Sequence, residues 1–439
     1  MRKKRRPEKI SKVYLVPRAV ILERMAGSVQ TGAPMVSENQ QPVKEKHVII
    51  LGAGASITSG YPDANRLRVL MSSDKTVRDI LVEGRVGEML ERKIIAWMFG
   101  AEMERTIALF RHGGFATVDE FSKLAGVRLR AATEGLKRTL RVALALHDPE
   151  DQFEKSDYYR FIQKLFQDGL FPLRNNVSIL TFNYDPYLPY LLRKAFAIRC
   201  RVSGGEATDV GVDLLTSGFS GRAIGQLEDH DDLCLLQLHG CIAWPRRAGD
   251  ENVVCYEDLF GKSMQERTET LCCPPSHASQ PPVVFPWEIM DEDGNFRSER
   301  EFCLTEQCEG TRSRQGGYEG EVTLYQLFKS IWKRARKEIT SATKISLIGL
   351  SMHKFLNPAF KYLFKEKKDL AELLVVNKEH ERPHDGYKDV RGDPRKPCAK
   401  TVALLSRIWS NPLQAKMGTV HLQVRALNTF AQFIEEEMG

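Results

Sequence analysis

The apolar positions of the chain fall into two patterns. Short apolar-rich runs stand at 48–51 (Val-Ile-Ile-Leu), 177–180, 233–238, 344–348, 373–376 and 420–424. Runs of this length, bounded by Gly, Asn, Asp or Pro, have the character of strands buried on both faces, as in a parallel sheet. Between them apolar residues recur every three or four positions, as in Ile94, Trp97, Met98 and Ala101, and again in Phe161, Ile162, Leu165 and Phe166. That spacing puts one apolar stripe on a helix. Strands alternating with helices predict an α/β fold, a Rossmann-like doubly wound parallel sheet.

The connections divide the chain. Helical spacing fills 63–169, more than a crossover between two strands requires, so 76–168 is predicted to be an inserted helical lobe. The stretch 241–320 is irregular, with Pro245, Pro274, Pro275, Pro281, Pro282 and a Gly-rich end, and reads as a loop-rich small lobe. Residues 47–400 would form the main domain, with a helix over 322–340. Residues 401–439 would complete it as helix, strand (420–424) and final helix (426–437), and 1–46 would be a basic arm and linker.

Composition narrows the setting. With 42% hydrophobic and 28% charged residues, the 439-residue chain is of the globular kind. Its nine cysteines are an odd number, scattered, with no secretory leader, which leads us to expect thiols in a cytoplasmic protein. No apolar run approaches the ~18 residues of a membrane span. Much of the +7 net charge sits in Arg2, Lys3, Lys4, Arg5, Arg6, Lys9 and Lys12, leaving a nearly neutral body. Such a tail can touch nucleic acid, but a solvated terminus is the simpler expectation. No metal site is expected: zinc wants paired C-x-x-C chelates, whereas Cys272 and Cys273 are adjacent and Cys303 and Cys308 are wrongly spaced, with Cys255 or His277 as helpers.

Candidate chemistry sits where the runs end. The first stops at Gly52-Ala53-Gly54-Ala55-Ser56, a turn that a phosphate can approach, although G-x-G-x-S is an incomplete dinucleotide fingerprint and such glycines often serve packing alone. Gly60-Tyr61-Pro62-Asp63 follows, a hinge and a helix start. The second run ends at Thr181-Phe182-Asn183-Tyr184-Asp185, the third at His239-Gly240, the fourth at Gly349-Leu350-Ser351-Met352-His353 before an Asn357-Pro358 helix start, and the fifth at Asn377-Lys378-Glu379. Ligands of open α/β sheets bind at the carboxyl ends of strands, so Asn183 and Asp185 should face the same crevice as 52–56. The plainer reading is that one of them caps the helix after Pro186.

These segments, in this order, resemble the motifs of the sirtuin family, and in particular its bacterial sirtuin-like branch of antiphage-defence effectors. The resemblance runs from about residue 48 to 377. Gly52-Ala53-Gly54-Ala55-Ser56 is similar to the family's G-A-G-x-S, Gly60-Tyr61-Pro62-Asp63 to its G-x-P-D, Thr181 to Asp185 to its T-Q-N-I-D, and His239-Gly240 to its histidine-glycine pair. Gly349-Leu350-Ser351 and Val376-Asn377 resemble its later cofactor segments. Ala64 stands where deacylating members have phenylalanine, Phe182 replaces the glutamine, and the paired-cysteine zinc module is not recognisable.

The resemblance implies an enzyme that takes NAD as substrate and hydrolyses it to nicotinamide and ADP-ribose, depleting cellular NAD as an antiphage effector. Asn183 would orient the ribose and a water, His239 would be the general base, and Asp185 would order the loop. Gly52, Ala53, Gly54, Ala55 and Ser56 would hold the diphosphate, with Pro62, Asp63, Thr181, Gly349, Ser351 and Asn377 completing the cofactor-binding set. It further implies a homo-oligomer, gated through the helical lobe or the arm, with a HerA-type DNA-translocating ATPase or another defence protein encoded nearby as partner. The alternatives are an NAD-dependent protein deacylase and an inactive sensor of NAD or ADP-ribose.

Overall fold

The computed structural model describes residues 45–100, 104, 107–108, 110, 118–126, 130–147, 155–167, 177–192, 234–242, 262–272, 283–299, 301–302, 324–350, 356–367, 370–377, 423–427 and 429–437. The basic arm, the charged loop over 385–397, Ser351, Cys255, Cys273, His277, Cys303 and Cys308 lie outside them.

Six strands are described: β1 (His47–Leu51), β2 (Val177–Thr181), β3 (Cys234–Gln237), β4 (Lys344–Ile348), β5 (Glu372–Val376) and β6 (Gln423–Leu427). They form one sheet in the order β3-β2-β1-β4-β5-β6 with every pairing parallel. The apolar runs explain this, because Val48 to Leu51 and Leu373 to Val376 are buried along their whole length, as strands covered on both faces must be. The order reverses between β1 and β4, which is the switch point where doubly wound sheets open a crevice. The expected Rossmann-like parallel α/β fold is what forms.

Helices flank the sheet. The 3-10 helix Ala53–Ser59 follows β1, then α1 (Ala64–Ser72), α2 (Asp74–Glu83), α3 (Glu88–Phe99), α4 (Val118–Gly126), α5 (Arg130–Ala145) and α6 (Asp157–Gln167) lead to β2. Their starts follow local chemistry: Asp63 caps α1 by accepting from the Arg66 N–H at 2.7 Å, and Ser73 caps α2 by accepting from Thr76 at 3.2 Å. After β3 come α7 (Met264–Cys272), α8 (Pro286–Ile289), α9 (Leu324–Ser341), α10 (Asn357–Phe364) and α11 (Phe430–Glu437). Trp332, Phe328 and Phe360 from α9 and α10 are fully buried in the core.

Two sequence expectations change. The irregular 241–320 stretch contains helix α7, started by a capping box in which Ser263 and Glu266 exchange hydrogen bonds. This helix belongs with the helical segment: the Arg267 guanidinium donates to the Ala145 and His147 carbonyls at the end of α5. The last strand lies at 423–427, and the final helix starts at Phe430 instead of 426, because pairing sets Gln423 against Glu372 and Leu427 against Val376. Long-range register, not the local apolar pattern, decides that boundary.

Candidate functional site

The carboxyl ends of β1, β2 and β3 meet at a cleft of about 120 Å³, lined by Gly52, Ala53, Ser56, Tyr61, Pro62, Asp119, Phe182, Asn183, Tyr184, Asp185 and His239 among others. Among the described residues of this lining the charged side chains are two carboxylates, Asp119 and Asp185. These two groups favour a cationic group beside them.

The register places these residues. Leu51 pairs with Thr181, and Thr181 with Gln237, so the next residues of all three strands project past the same sheet edge. The Thr181 hydroxyl accepts from the Asn183 N–H at 3.0 Å and fixes the turn. Asn183 is buried, and its Nδ2 lies 3.0 Å from the Gly52 carbonyl, 2.8 Å from Ser56 Oγ and 3.1 Å from the Tyr158 hydroxyl. A carbonyl only accepts, so Gly52 orients the amide with nitrogen inward and leaves Asn183 Oδ1 for a ligand.

Asp185 joins the same cluster. Its Oδ2 accepts from Ser56 Oγ at 2.9 Å, and its Oδ1 accepts from the Tyr187 N–H at 3.2 Å, at the start of the helix over 187–192. Asp185 thus does cap that helix while also holding the Gly-rich turn. Burial raises its carboxyl from the usual 3.8 to about 6, against the opposing pull of these hydrogen bonds. Burial, and then the charge of Asp185, pushes the Tyr158 phenol well up, so it stays protonated.

His239 is 1% exposed and stands among aromatic rings. Phe182 meets it edge-on at 5.1 Å, Tyr184 lies at 5.2 Å and Trp332 at 6.5 Å. Phe182 is in turn stacked on Phe360 at 5.7 Å, which ties this wall to α10. The residue after the histidine, Gly240, takes φ +76° and bridges to Val283, while the His239 carbonyl accepts from Val284. Across the cleft the Tyr184 hydroxyl donates to Asp119 Oδ1 at 2.8 Å, linking α4 to the loop after β2.

The glycine turn differs from expectation. A Cβ on Gly54 would lie 2.6 Å from Gly349 Cα, and one on Gly349, at φ +64°, would lie 2.4 Å from the Ala55 nitrogen. These glycines let the ends of β1 and β4 touch at the switch point. Their amides serve that contact too: Gly52 N–H donates to the Ile348 carbonyl at 2.8 Å and Gly54 N–H to Gly349 at 2.9 Å, while Ala55 N–H closes the turn on the Gly52 carbonyl at 2.9 Å. In this conformation those three N–H groups are not donors to a diphosphate, and the Ala53 N–H is what the turn has left to offer.

The predicted set thus divides. Gly52, Ala53, Ser56, Pro62, Asn183, Asp185 and His239 share the cleft. Gly54, Ala55, Thr181 and Gly349 support it from behind, and Asp63 is an exposed helix cap. Asn377 donates from Nδ2 to the Leu350 carbonyl at 3.0 Å, bracing the end of β5 against that of β4. Sequence reasoning missed Tyr158 and Asp119, which come from the helical segment and carry no motif. Tyr184 lay inside a quoted motif, and Tyr61 beside Pro62, yet neither was singled out.

Among the described residues no group of three or more His, Cys, Asp or Glu is placed to hold a metal ion. No helix among them is long and apolar enough to cross a membrane. The chain matches no protein-family model and no curated protein.

Proposed function

We propose that this cleft takes the nicotinamide-ribose end of NAD and that the protein is an NAD glycohydrolase, releasing nicotinamide and ADP-ribose. The observation that carries the reading is the convergence of Ser56, Asn183, Asp185 and His239 from three strand ends on one small cleft. The residues suit this end of the molecule. Nicotinamide in NAD is cationic, and positive charge spreads onto the ribose as the bond to it breaks; Asp119 and Asp185 in the lining suit positive charge there. Asn183 Oδ1 offers an acceptor for a ribose hydroxyl or the attacking water, and His239 takes the proton. The diphosphate and adenosine extend outside the cleft along the ends of β4 and β5, past Gly349 and Asn377.

Phe182 in the wall and Ala64 after Asp63 weigh against a deacylase, as the glutamine and the shielding phenylalanine of that chemistry are both replaced. NAD depletion as a defence response, with assembly or a partner ATPase as its control, is the biological setting we propose. A second reading, an NAD or ADP-ribose sensor without turnover, is favoured by the near-complete enclosure of His239. Nicotinamide release from NAD, with and without an acetylated peptide, separates the readings. The proposal expects peptide-independent release that drops about 10²-fold or more in Asn183→Ala and in His239→Ala while both remain folded. Full activity in both variants would remove the site assignment, and binding without release would establish the sensor.

A further inference from the structure

With Asp185 ionised, hydrogen-bond direction in the buried cluster is determined. Asp185 as a carboxylate only accepts, so the single Ser56 hydroxyl proton goes to its Oδ2. Ser56 Oγ must then accept from Tyr158, 3.0 Å away, which commits the phenol proton to Ser56. The Asn183 amide has two hydrogens. One meets the Gly52 carbonyl, and the other is shared between Ser56 Oγ and the Tyr158 oxygen. The chain therefore runs from the Asn183 amide through Tyr158 and Ser56 to Asp185, and no member can be reversed without setting two donors or two acceptors face to face.

Tyr158 is the one member that does not come from a strand end. It sits in the first turn of α6, in the helical segment, 102 residues from Ser56. The same turn makes a second contact with the glycine-rich region, the Asp157 N–H donating to Thr58 Oγ1 at 3.2 Å. Behind it, Phe430 of α11 meets the Tyr158 ring edge-on at 5.8 Å, so the ring is held from the C-terminal helix as well.

We propose that Tyr158 is a positioning residue through which the seating of α6 steadies the Asn183 amide in the orientation that the Gly52 carbonyl selects, making the helical segment a control element of the cleft. This rests on the NAD reading above. When α6 sits as seen here, Asn183 presents Oδ1 to a ligand. If α6 withdraws, the second amide hydrogen loses one of its two acceptors and Ser56 loses a donor, so the amide, still turned nitrogen-inward by the Gly52 carbonyl, is held less firmly and Oδ1 is presented to a ribose hydroxyl or a water with less precision.

Tyr158→Phe tests this, since it removes only the hydroxyl and keeps the ring against Phe430 and Tyr187. The expected result is a fall in kcat of about 10- to 100-fold with KM for NAD changed little, and a double variant with Asn183→Ala no slower than Asn183→Ala alone. A purely structural tyrosine would lower the rates of both backgrounds by the same factor, and that outcome, or wild-type kcat in Tyr158→Phe, overturns the proposal. Should the wild-type protein neither bind nor cleave NAD, the functional reading fails, and the control role of Tyr158 falls with it. Denaturant unfolding of the same four proteins reads the hydrogen-bond chain separately: additive stability losses would show that Tyr158 and Asn183 are not coupled and overturn the proposal whatever the substrate.

Discussion

Replacing Asp185 by asparagine isolates the cost of keeping a charge in this cluster. The carboxyl is buried and its pKa rises from 3.8 to about 6, so between those values the folded protein holds a proton that the unfolded chain releases. Stability contributed by this group is complete below pH 3.8 and is lost as pH rises through about 6. At ~1.4 kcal/mol per pH unit, the ionised form at pH 7 costs about 3 kcal/mol relative to the protonated one. Asparagine carries no charge at any pH. It can still accept from Ser56, but its second position would put an amide nitrogen opposite the Tyr187 N–H, a loss of about 1–3 kcal/mol that does not vary with pH. Urea unfolding of wild type and Asp185→Asn from pH 4 to pH 8 therefore has a stated form. The variant should be the less stable protein at pH 4, and the difference should move by about 2 kcal/mol in its favour by pH 7. A difference that stays flat across this window, or that moves toward the wild type, would refute the argument that burial dominates the environment of Asp185.

Gly349→Ala should cost about 3 kcal/mol or more in denaturant unfolding, since the backbone is left-handed and the added methyl meets the Ala55 nitrogen at 2.4 Å; a loss below about 1 kcal/mol would show that the contact between β1 and β4 yields easily. Lys137 and Glu288, 3.1 Å apart and almost wholly buried, join α5 to α8, so Lys137→Ala should destabilise by about 3–5 kcal/mol, and Lys137→Met paired with Glu288→Leu should recover much of that; calorimetric unfolding of the three proteins decides it.

The parallel α/β sheet was legible because its cause is local. A strand covered on both faces must be apolar along its length, and β4 falls at 344–348 as its run implies. The placing of Asn183, Asp185 and His239 at strand ends follows from the same runs, since a polar residue directly after a buried strand has only the sheet edge to occupy. Helix α7 was also written in the chain, in the Ser263 and Glu266 capping pair, under a composition that suggested loop.

What the tertiary structure decided involves partners far apart in sequence. The apolar pattern near 420 does not reveal that β6 begins at Gln423; pairing with β5 does. A glycine after a strand reads equally well as a phosphate cradle or as a packing contact, and only the fold reveals the close approach of Gly349 to Gly54. Tyr158 is one tyrosine on an amphipathic helix, and Asp119 one carboxylate in a first helical turn, until the fold brings them 102 and 65 residues along the chain to Ser56 and Tyr184. Burial leaves a periodic trace in sequence, because every residue along an element must comply with it. A single long-range hydrogen bond constrains two residues only, and so becomes visible when the chain has closed around it.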